Sequence, residues 1–273
     1  MKRRLIVGLV VSLTVGLILF QGSALAAAKA PGLWKLLDTF KAAKYIDLTH
    51  VWGENTPHWK GFDPAVISTK YNHDQHGFLV HLYTHVGQWG THVDPPVHFF
   101  KGKRTLEDIP CVEMFLPLVV IDCHKQVEAN PDYAITMNDI KAWEAKYGPI
   151  PQGSFVAMRT DWSKRWPSQE KMMNADSKGV LHYPAWSKEV LEYLYLKQKV
   201  TATGHETTDT DGGLRVSKDD YGLEAWILQQ NHYQVELLAN LDQVPEAGAF
   251  VVVSWPKPKG GSGFPARVFA IVP

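Results

Sequence analysis

Apolar runs of strand length recur along the chain: "FLVHLYTHV" at 78–86, "PLVVIDC" at 117–123, "GSFVAMRT" at 153–160, "KVTATG" at 199–204 and "AFVVVSW" at 249–255. They are rich in Val, Ile and aromatic residues and bounded by Gly or Pro, which predicts strands. Helical patterns lie between them. Thr136 and Asp139 form a capping pattern ahead of "IKAWEAKYG", which Gly148 closes. Ser187 precedes "KEVLEYLYLKQK", whose Val190, Leu191, Leu194 and Tyr195 share one face. Ser217 and Asp220 precede "YGLEAWILQQN" in the same manner. Strands alternating with helices in the second half predict an α/β fold. The first half reads as strand and loop. The stretch 162–184 is polar, aromatic and aperiodic, and predicts a long surface loop. No internal repeat or low-complexity linker interrupts the pattern.

The N-terminus departs from it. Lys2, Arg3 and Arg4 precede an apolar run from Leu5 to Phe20, and small residues follow at Ala24 and Ala26. A basic n-region, an apolar h-region and an Ala-x-Ala site predict a secretory signal at 1–26 and a single domain at 27–273. The run is short for a membrane span, which needs ~20 residues; an uncleaved anchor is the alternative. The expected location is periplasmic or secreted, with no stable membrane insertion after cleavage.

Composition narrows the partners. Lys plus Arg and Asp plus Glu each total 28, with no basic stripe, which argues against nucleic acid. Ten tryptophans suggest aromatic-lined pockets as well as core. Cys111 and Cys123 cannot make a disulfide scaffold. Export would permit a bond between them, but two free, mostly buried thiols are expected.

Chemistry concentrates in "GQWGTHVDPPVHFF" at 87–100. His92 and Asp94 are two apart, so in an extended segment they project to one side. Pro95 and Pro96 stiffen the chain and can turn His98 back toward the same point. Gly90 and Thr91 allow close backbone approach. Two imidazoles and a carboxylate suit zinc or manganese; the alternative is a polar turn whose histidines bond the backbone. His81 and His85 share a strand face, so His85 is a possible site residue, with packing as the competing reading. "GHETTDTDGG" at 204–213 is a second polar cluster after a strand, where sites tend to lie, and makes His205 another possible one.

"GTHVDPPVHF" also resembles the signature of the cyclase family, which includes bacterial kynurenine formamidases and isatin hydrolases: His-x-Gly-Thr-His-x-Asp-x-Pro-x-His. "IDLTH" at 46–50, "TPHWKGFD" at 56–63, "FVAMRTDWS" at 155–163, "LEAWILQQNHYQVELLANLD" at 223–242 and "GGSGFPARVFAIV" at 260–272 are similar to other parts of that family. The resemblance implies a swivelling β/β/α domain, a mixed sheet with helices packed on it, and one or two divalent ions, Zn2+ or Mn2+. It places His92 and Asp94 on metal positions, with Asp94 between two metals, and Glu236 on a late acidic ligand. His98 falls on the proton donor and acceptor, and Trp59 on a substrate-contacting aromatic. It further implies a small-molecule substrate and a homo-oligomer, dimer or tetramer. Two positions depart: Gln88 and Glu224 stand where the family carries metal-binding histidines. As ligands they would shift preference toward Mn2+ or Mg2+. His205 and Asp211 stand in for aspartates of a family loop.

Such a site would activate water and polarise a carbonyl, with His98 moving a proton. The expected activity is hydrolysis of a C–N bond in a small aromatic amide or lactam, of arylformamidase or isatin hydrolase type. No Gly-x-Ser-x-Gly competes. A lactone or ester hydrolase or cyclase on the same scaffold, and an exported metal- or ligand-binding protein without catalysis, are the alternatives. Mass spectrometry of the secreted protein checks the leader: the mature chain should begin near Ala27, and an intact 1–20 segment contradicts this reading.

Overall fold

The structure, a computed structural model, describes residues 32–273; the signal expected at 1–26 lies outside them. The chain divides into two units, Met1–Thr39 and Phe40–Pro273. In the first, the described part is a 3-10 turn, Gly32–Leu36, running into the helix Leu37–Ala42. The second carries every strand: β1 (Lys44–Asp47), β2 (Val66–Tyr71), β3 (Val80–Thr84), β4 (His92–Asp94), β5 (Phe115–Asp122), β6 (Phe155–Arg159), β7 (Ala202–His205), β8 (Tyr233–Glu236), β9 (Ala249–Ser254), β10 (Phe264–Pro265) and β11 (Arg267–Val272).

Nine of these form one mixed sheet in the order β1-β11-β9-β5-β6-β7-β8-β4-β10. The centre, β5 to β8, is parallel, and the pairings on both sides of it are antiparallel. The sheet curls until its ends join. β10, on the last edge, continues through Ala266 into β11, and the Ala266 amide donates to Thr91 O at 2.8 Å. Beyond β1, the Leu48 amide donates to Val268 O and Leu48 O accepts from the Ala239 amide, both at 2.9 Å.

Side-chain alternation then sorts residues between two cores. Leu118, Val120, Phe155, Ala157, Val235, Val251 and Val268 fill the inside of the curl. Val119, Ile121, Val156 and Met158 face outward, under helices that supply Ile140, Trp143, Val190, Leu194 and Ile227. Strands buried on both faces read as unbroken apolar runs, which is why β5 and β6 are legible in the sequence. β9 has one side open and alternates.

Capping is local where expected and distant where it was not. Thr136 and Asp139 close a capping box on the helix Met137–Tyr147, and Gly148 ends it at φ 87°. At the helix Gly222–Gln229 the Ser217 and Asp220 expectation holds in part: Asp220 Oδ1 accepts from the Gly222 amide at 3.1 Å, while the Ser217 hydroxyl donates to Gly213 O. Asp211 accepts the next two amides, of Leu223 and Glu224, at 2.8 and 3.0 Å.

Three further expectations need correction. The stretch 162–184 is no surface loop: it folds into the turn Trp162–Arg165 and the helix Gln169–Met173, and buries Trp162, Met172 and Tyr183. Its apolar residues are too sparse to show a period, yet these three fill the outer core. The "KEVLEYLYLKQK" helix is α-helical only to Glu192 and continues as a π-helix from Tyr193 to Gln198. Cys111 and Cys123 are both free, but Cys111 is exposed on a 3-10 turn and only Cys123 is buried. The run at 78–86 forms the expected strand, but β3 pairs with β2 in a separate two-stranded arm and leaves Leu79, Val80, Leu82 and Tyr83 exposed. A lone hairpin has no second layer to bury its faces, and such apolar surface is of the kind that association covers.

Gly204 on β7 marks the tightest crossing of the inner core. A Cβ there would lie 2.6 Å from Phe155 and 2.8 Å from Leu238. Gly204→Ala should therefore cost about 1–3 kcal/mol in urea unfolding. Gly53→Ala, where a Cβ meets nothing within 4 Å, should stay within about 0.5 kcal/mol. Equal effects would contradict this packing.

Candidate metal centre

The register of β4 against β8 builds the site. Val93 and Val235 are paired and point into the inner core, so His92, opposite Glu236, and Asp94, opposite Gln234, point outward together. The backbone around them is pinned. Gly90, at φ 61°, passes close to Trp52. Thr91 donates its hydroxyl to Leu237 O and accepts the His50 amide at 2.9 Å. After Asp94 the two prolines lead into a 3-10 turn, Pro96–His98, closed by the His98 amide on Pro95 O at 2.9 Å. That turn returns His98 to the site.

Protons can be assigned from partners. His92 Nδ1 lies 2.8 Å from Gly90 O. A carbonyl only accepts, so Nδ1 carries a proton and Nε2 is the nitrogen left to take a cation or a second proton. Nε2 faces Asp94 Oδ2 at 3.4 Å and Glu236 Oε2 at 3.6 Å. Asp94 Oδ2 is buried without a hydrogen-bond partner. Three electron-rich atoms converge, and either a proton or a cation must sit among them. Donors about 2.1 Å from one ion at a tetrahedral angle lie about 3.4 Å apart, so the spacing fits a metal. A second group, Asp94, His98 and Glu224, shares Asp94 with the first. His98 Nε2 lies 3.8 Å from Glu224 Oε1.

Gln88, expected among the metal positions, does something else. Its Nε2 donates to Asp94 Oδ1 at 3.1 Å and to Ser262 O at 2.8 Å. Both neighbours are acceptors, so the amide nitrogen must face them, and an amide N–H cannot ligate. In this structure Gln88 holds Asp94 by one oxygen and leaves the other free. His85 is not at the site. Its ring packs edge-on against Trp52 at 5.1 Å and Phe264 at 5.7 Å, because the arm carries it away from the cleft. His205 lies at the buried end of β7, its Nε2 3.4 Å from Glu236 Oε1. Asp211 is the helix cap described above.

Two acidic residues escaped the sequence reading. Glu206 is buried and accepts from the Thr160 and Ser163 hydroxyls, which makes it a tether between loops. Asp209 lines the cleft and accepts from Tyr183 and Thr208 at 2.7 and 2.8 Å. The only available signal was the density of acids in "HETTDTD".

The electrostatics reflect crowded carboxylates. Burial pushes the Glu224 and Glu236 carboxyls well above the ordinary carboxylate range, and the charges of Asp94 and Asp209 push the same way. Burial also takes Asp209 up to about 6. Burial alone would raise Asp94, but the positive charge of protonated His92 beside it holds it at about 2. For His92, burial opposes the proton, and Asp94 more than compensates. Burial takes His205 down to about 3.

The cleft over this cluster measures about 720 Å³ including its mouth. Trp59, Phe62, Phe99 and Tyr221 wall it. Trp59 folds over Gly61, where a Cβ would overlap its ring, and its indole N–H is taken by Tyr221 OH at 2.8 Å. The ring therefore offers only a face. Among the described residues no lysine or arginine lines the cleft.

A family model described as "Putative cyclase" matches residues 46–212. The chain is 33% identical over 242 residues to an isatin hydrolase of Roseibium aggregatum, covering 84% of this chain and 91% of that one. The structure is similar to isatin hydrolase A from Ralstonia solanacearum, with TM-score 0.83, 30% identity, and 91% and 100% of the two chains covered. It is also similar to an isatin hydrolase bound to the product analogue thioisatinate, with TM-score 0.80, 32% identity, and 88% and 95% covered.

Crowding has a measurable sign. Because Glu236 keeps its proton to higher pH folded than unfolded, its ionisation destabilises the metal-free fold progressively as pH rises above the ordinary carboxylate range. Metal-free Glu236→Gln should therefore melt above wild type at about pH 8 by a few °C, the effect of about 1 kcal/mol in a chain of this size. The gap should shrink toward about pH 5. Saturating Mn2+ should reverse the order, since it stabilises only the intact donor set. A pH-independent gap contradicts the charge account.

Proposed function

The chain belongs to the cyclase family, and from that premise we propose that it is a metal-dependent hydrolase opening the C–N bond of a small, neutral, aromatic cyclic amide. The observation that carries this reading is the lining of the cleft: a donor set rich in carboxylates below, aromatic rings around it and no lysine or arginine. A substrate bearing a carboxylate would meet Asp94, Asp209, Glu224 and Glu236, and among the described lining residues only histidines, with no lysine or arginine, to receive it, which favours a lactam over an amino-acid formamide. The isatin hydrolases to which the chain is similar act, by their name, on such a lactam.

His92 Nε2, Asp94 Oδ2 and Glu236 Oε2 would hold the cation. A divalent metal in such a set supplies an activated water and a Lewis acid for a carbonyl. The side chains supply the rest. Gln88 fixes Asp94. The Pro-framed turn and the edge of Phe99, 4.9 Å from the imidazole centroid, fix His98. His98 takes a proton from the attacking water and returns it to the leaving nitrogen as the C–N bond breaks. Glu224, beside His98 and holding its own proton above the ordinary range, shares that duty. The faces of Trp59 and Phe62 position a flat ring without a polar demand.

The same geometry would attack a lactone, so the leaving atom is decided by experiment. With Mn2+ added, the protein should open isatin and hydrolyse a formanilide carrying an amino-acid headgroup at least about tenfold more slowly, the discrimination that leaving one charge unpaired brings. His98→Gln should lower kcat by about 10²–10⁴ while leaving bound metal unchanged. Preference for the charged formanilide refutes the substrate class. Preference for a neutral lactone moves the reading to an ester hydrolase, and stoichiometric metal with no turnover on the panel would make the chain a binding protein.

A further inference from the structure

His205 sits fully buried at the end of β7, beside the donor set yet outside both candidate metal groups. Its Nδ1 lies 3.2 Å from Trp186 Nε1. An indole N–H can only donate, so His205 Nδ1 must accept, and a neutral imidazole must then carry its proton on Nε2. That Nε2 is buried with no hydrogen-bond partner of its own, and Glu236 Oε1 lies 3.4 Å from it, within reach of a small turn of either side chain. The opposite tautomer would set two N–H groups against each other and leave a bare nitrogen facing a carboxylate. Trp186 is itself buried, and its amide is fixed on Thr210 O at 3.1 Å.

A second donor converges on the same oxygen. Gln234 Nε2 donates to Glu236 Oε1 at 3.0 Å, and its amide cannot flip because Gln234 Oε1 accepts from Thr210 Oγ1 at 2.6 Å. Oε1 is thus the held oxygen and Oε2, 3.6 Å from His92 Nε2, the free one.

We propose that His205 is a positioning residue that never ligates the metal: Trp186 fixes its tautomer, and its Nε2–H holds Glu236 Oε1 so that Oε2 faces the cation. The proposal rests on the reading of His92, Asp94 and Glu236 as the metal site, but the tautomer is a property of the metal-free chain and is tested separately. Outer partners of this kind orient ligands and are commonly worth 10–100-fold in metal affinity.

The test is long-range 1H–15N spectroscopy of histidine-labelled protein, metal-free and loaded with Zn2+, with the His205 signals assigned from His205→Gln. The expected spectrum has a protonated Nε2 and a bare Nδ1 in both states. Trp186→Phe, which keeps the bulk and removes the N–H, should shift the tautomer toward Nδ1–H and weaken Zn2+ by about 10-fold or more. His205→Gln, which can present an amide N–H to Glu236, should stay within a few-fold of wild type, and His205→Leu should lose about 10–100-fold. A wild-type Nδ1–H tautomer, or loss of the Nε2 proton on adding Zn2+, overturns the proposal. So does equal Zn2+ affinity in wild type and Trp186→Phe, which decides the matter even if His205→Leu fails to fold. A folded wild type with the expected tautomer and no Zn2+ binding brings down the metal-site reading, and the positioning role with it, while leaving the Trp186–His205 hydrogen bond intact.

Discussion

The register between β4 and β8 is the constraint on which the site depends. A slip of one residue would turn His92 and Asp94 into the inner core and Val93 out toward solvent. The core prevents that slip, because Val93 and Val235 fill the inside of a curled sheet. The sheet in turn stays curled because the chain from β10 to β11 belongs to both of its ends. Packing on one face of two strands thereby fixes the donor set on the other, and flexible side chains need little further ordering to reach it.

That arrangement concentrates negative charge where water is scarce. Asp94, Asp209, Glu224 and Glu236 line one cleft without a lysine or arginine among them. A fold does not retain buried carboxylates in this number without something to balance them. Protons do so in part, as the raised Glu224 and Glu236 indicate. A divalent cation does so more completely. Two acids in the cluster have one oxygen held by donors: Asp94 through Gln88, and Glu236 through Gln234. In both, the other oxygen faces His92 Nε2. The hydrogen bonds select which lone pairs remain.

What was legible in the sequence follows from periodicity and stiffness. His92 and Asp94 could be placed together because strand alternation is a rule of period two, and His98 because two prolines limit the turn. The capping box of Thr136 and Asp139 was legible because all its parts are local. Contacts between distant segments were not. Glu236 came only through family resemblance, since nothing local ties it to residue 92. Gln88 reads as a ligand position by resemblance to the family motif, yet Ser262, far along the chain, decides which end of its amide faces inward. At the helix at 222–229 the local Asp220 takes one amide, but Asp211, beyond the reach of a local capping pattern, takes the next two. The run at 78–86 has the composition of a core strand, and composition does not tell a buried strand from an arm that projects.

The central claim is that one cation is held by His92, Asp94 and Glu236. Anomalous diffraction from crystals grown with Mn2+ or Zn2+ tests it most directly. The account expects a peak about 2.0–2.2 Å from His92 Nε2, Asp94 Oδ2 and Glu236 Oε2, with Gln88 and His205 outside bonding distance. A peak bonded to Gln88 or His205, or no peak among these three atoms in a metal-saturated crystal, would contradict it.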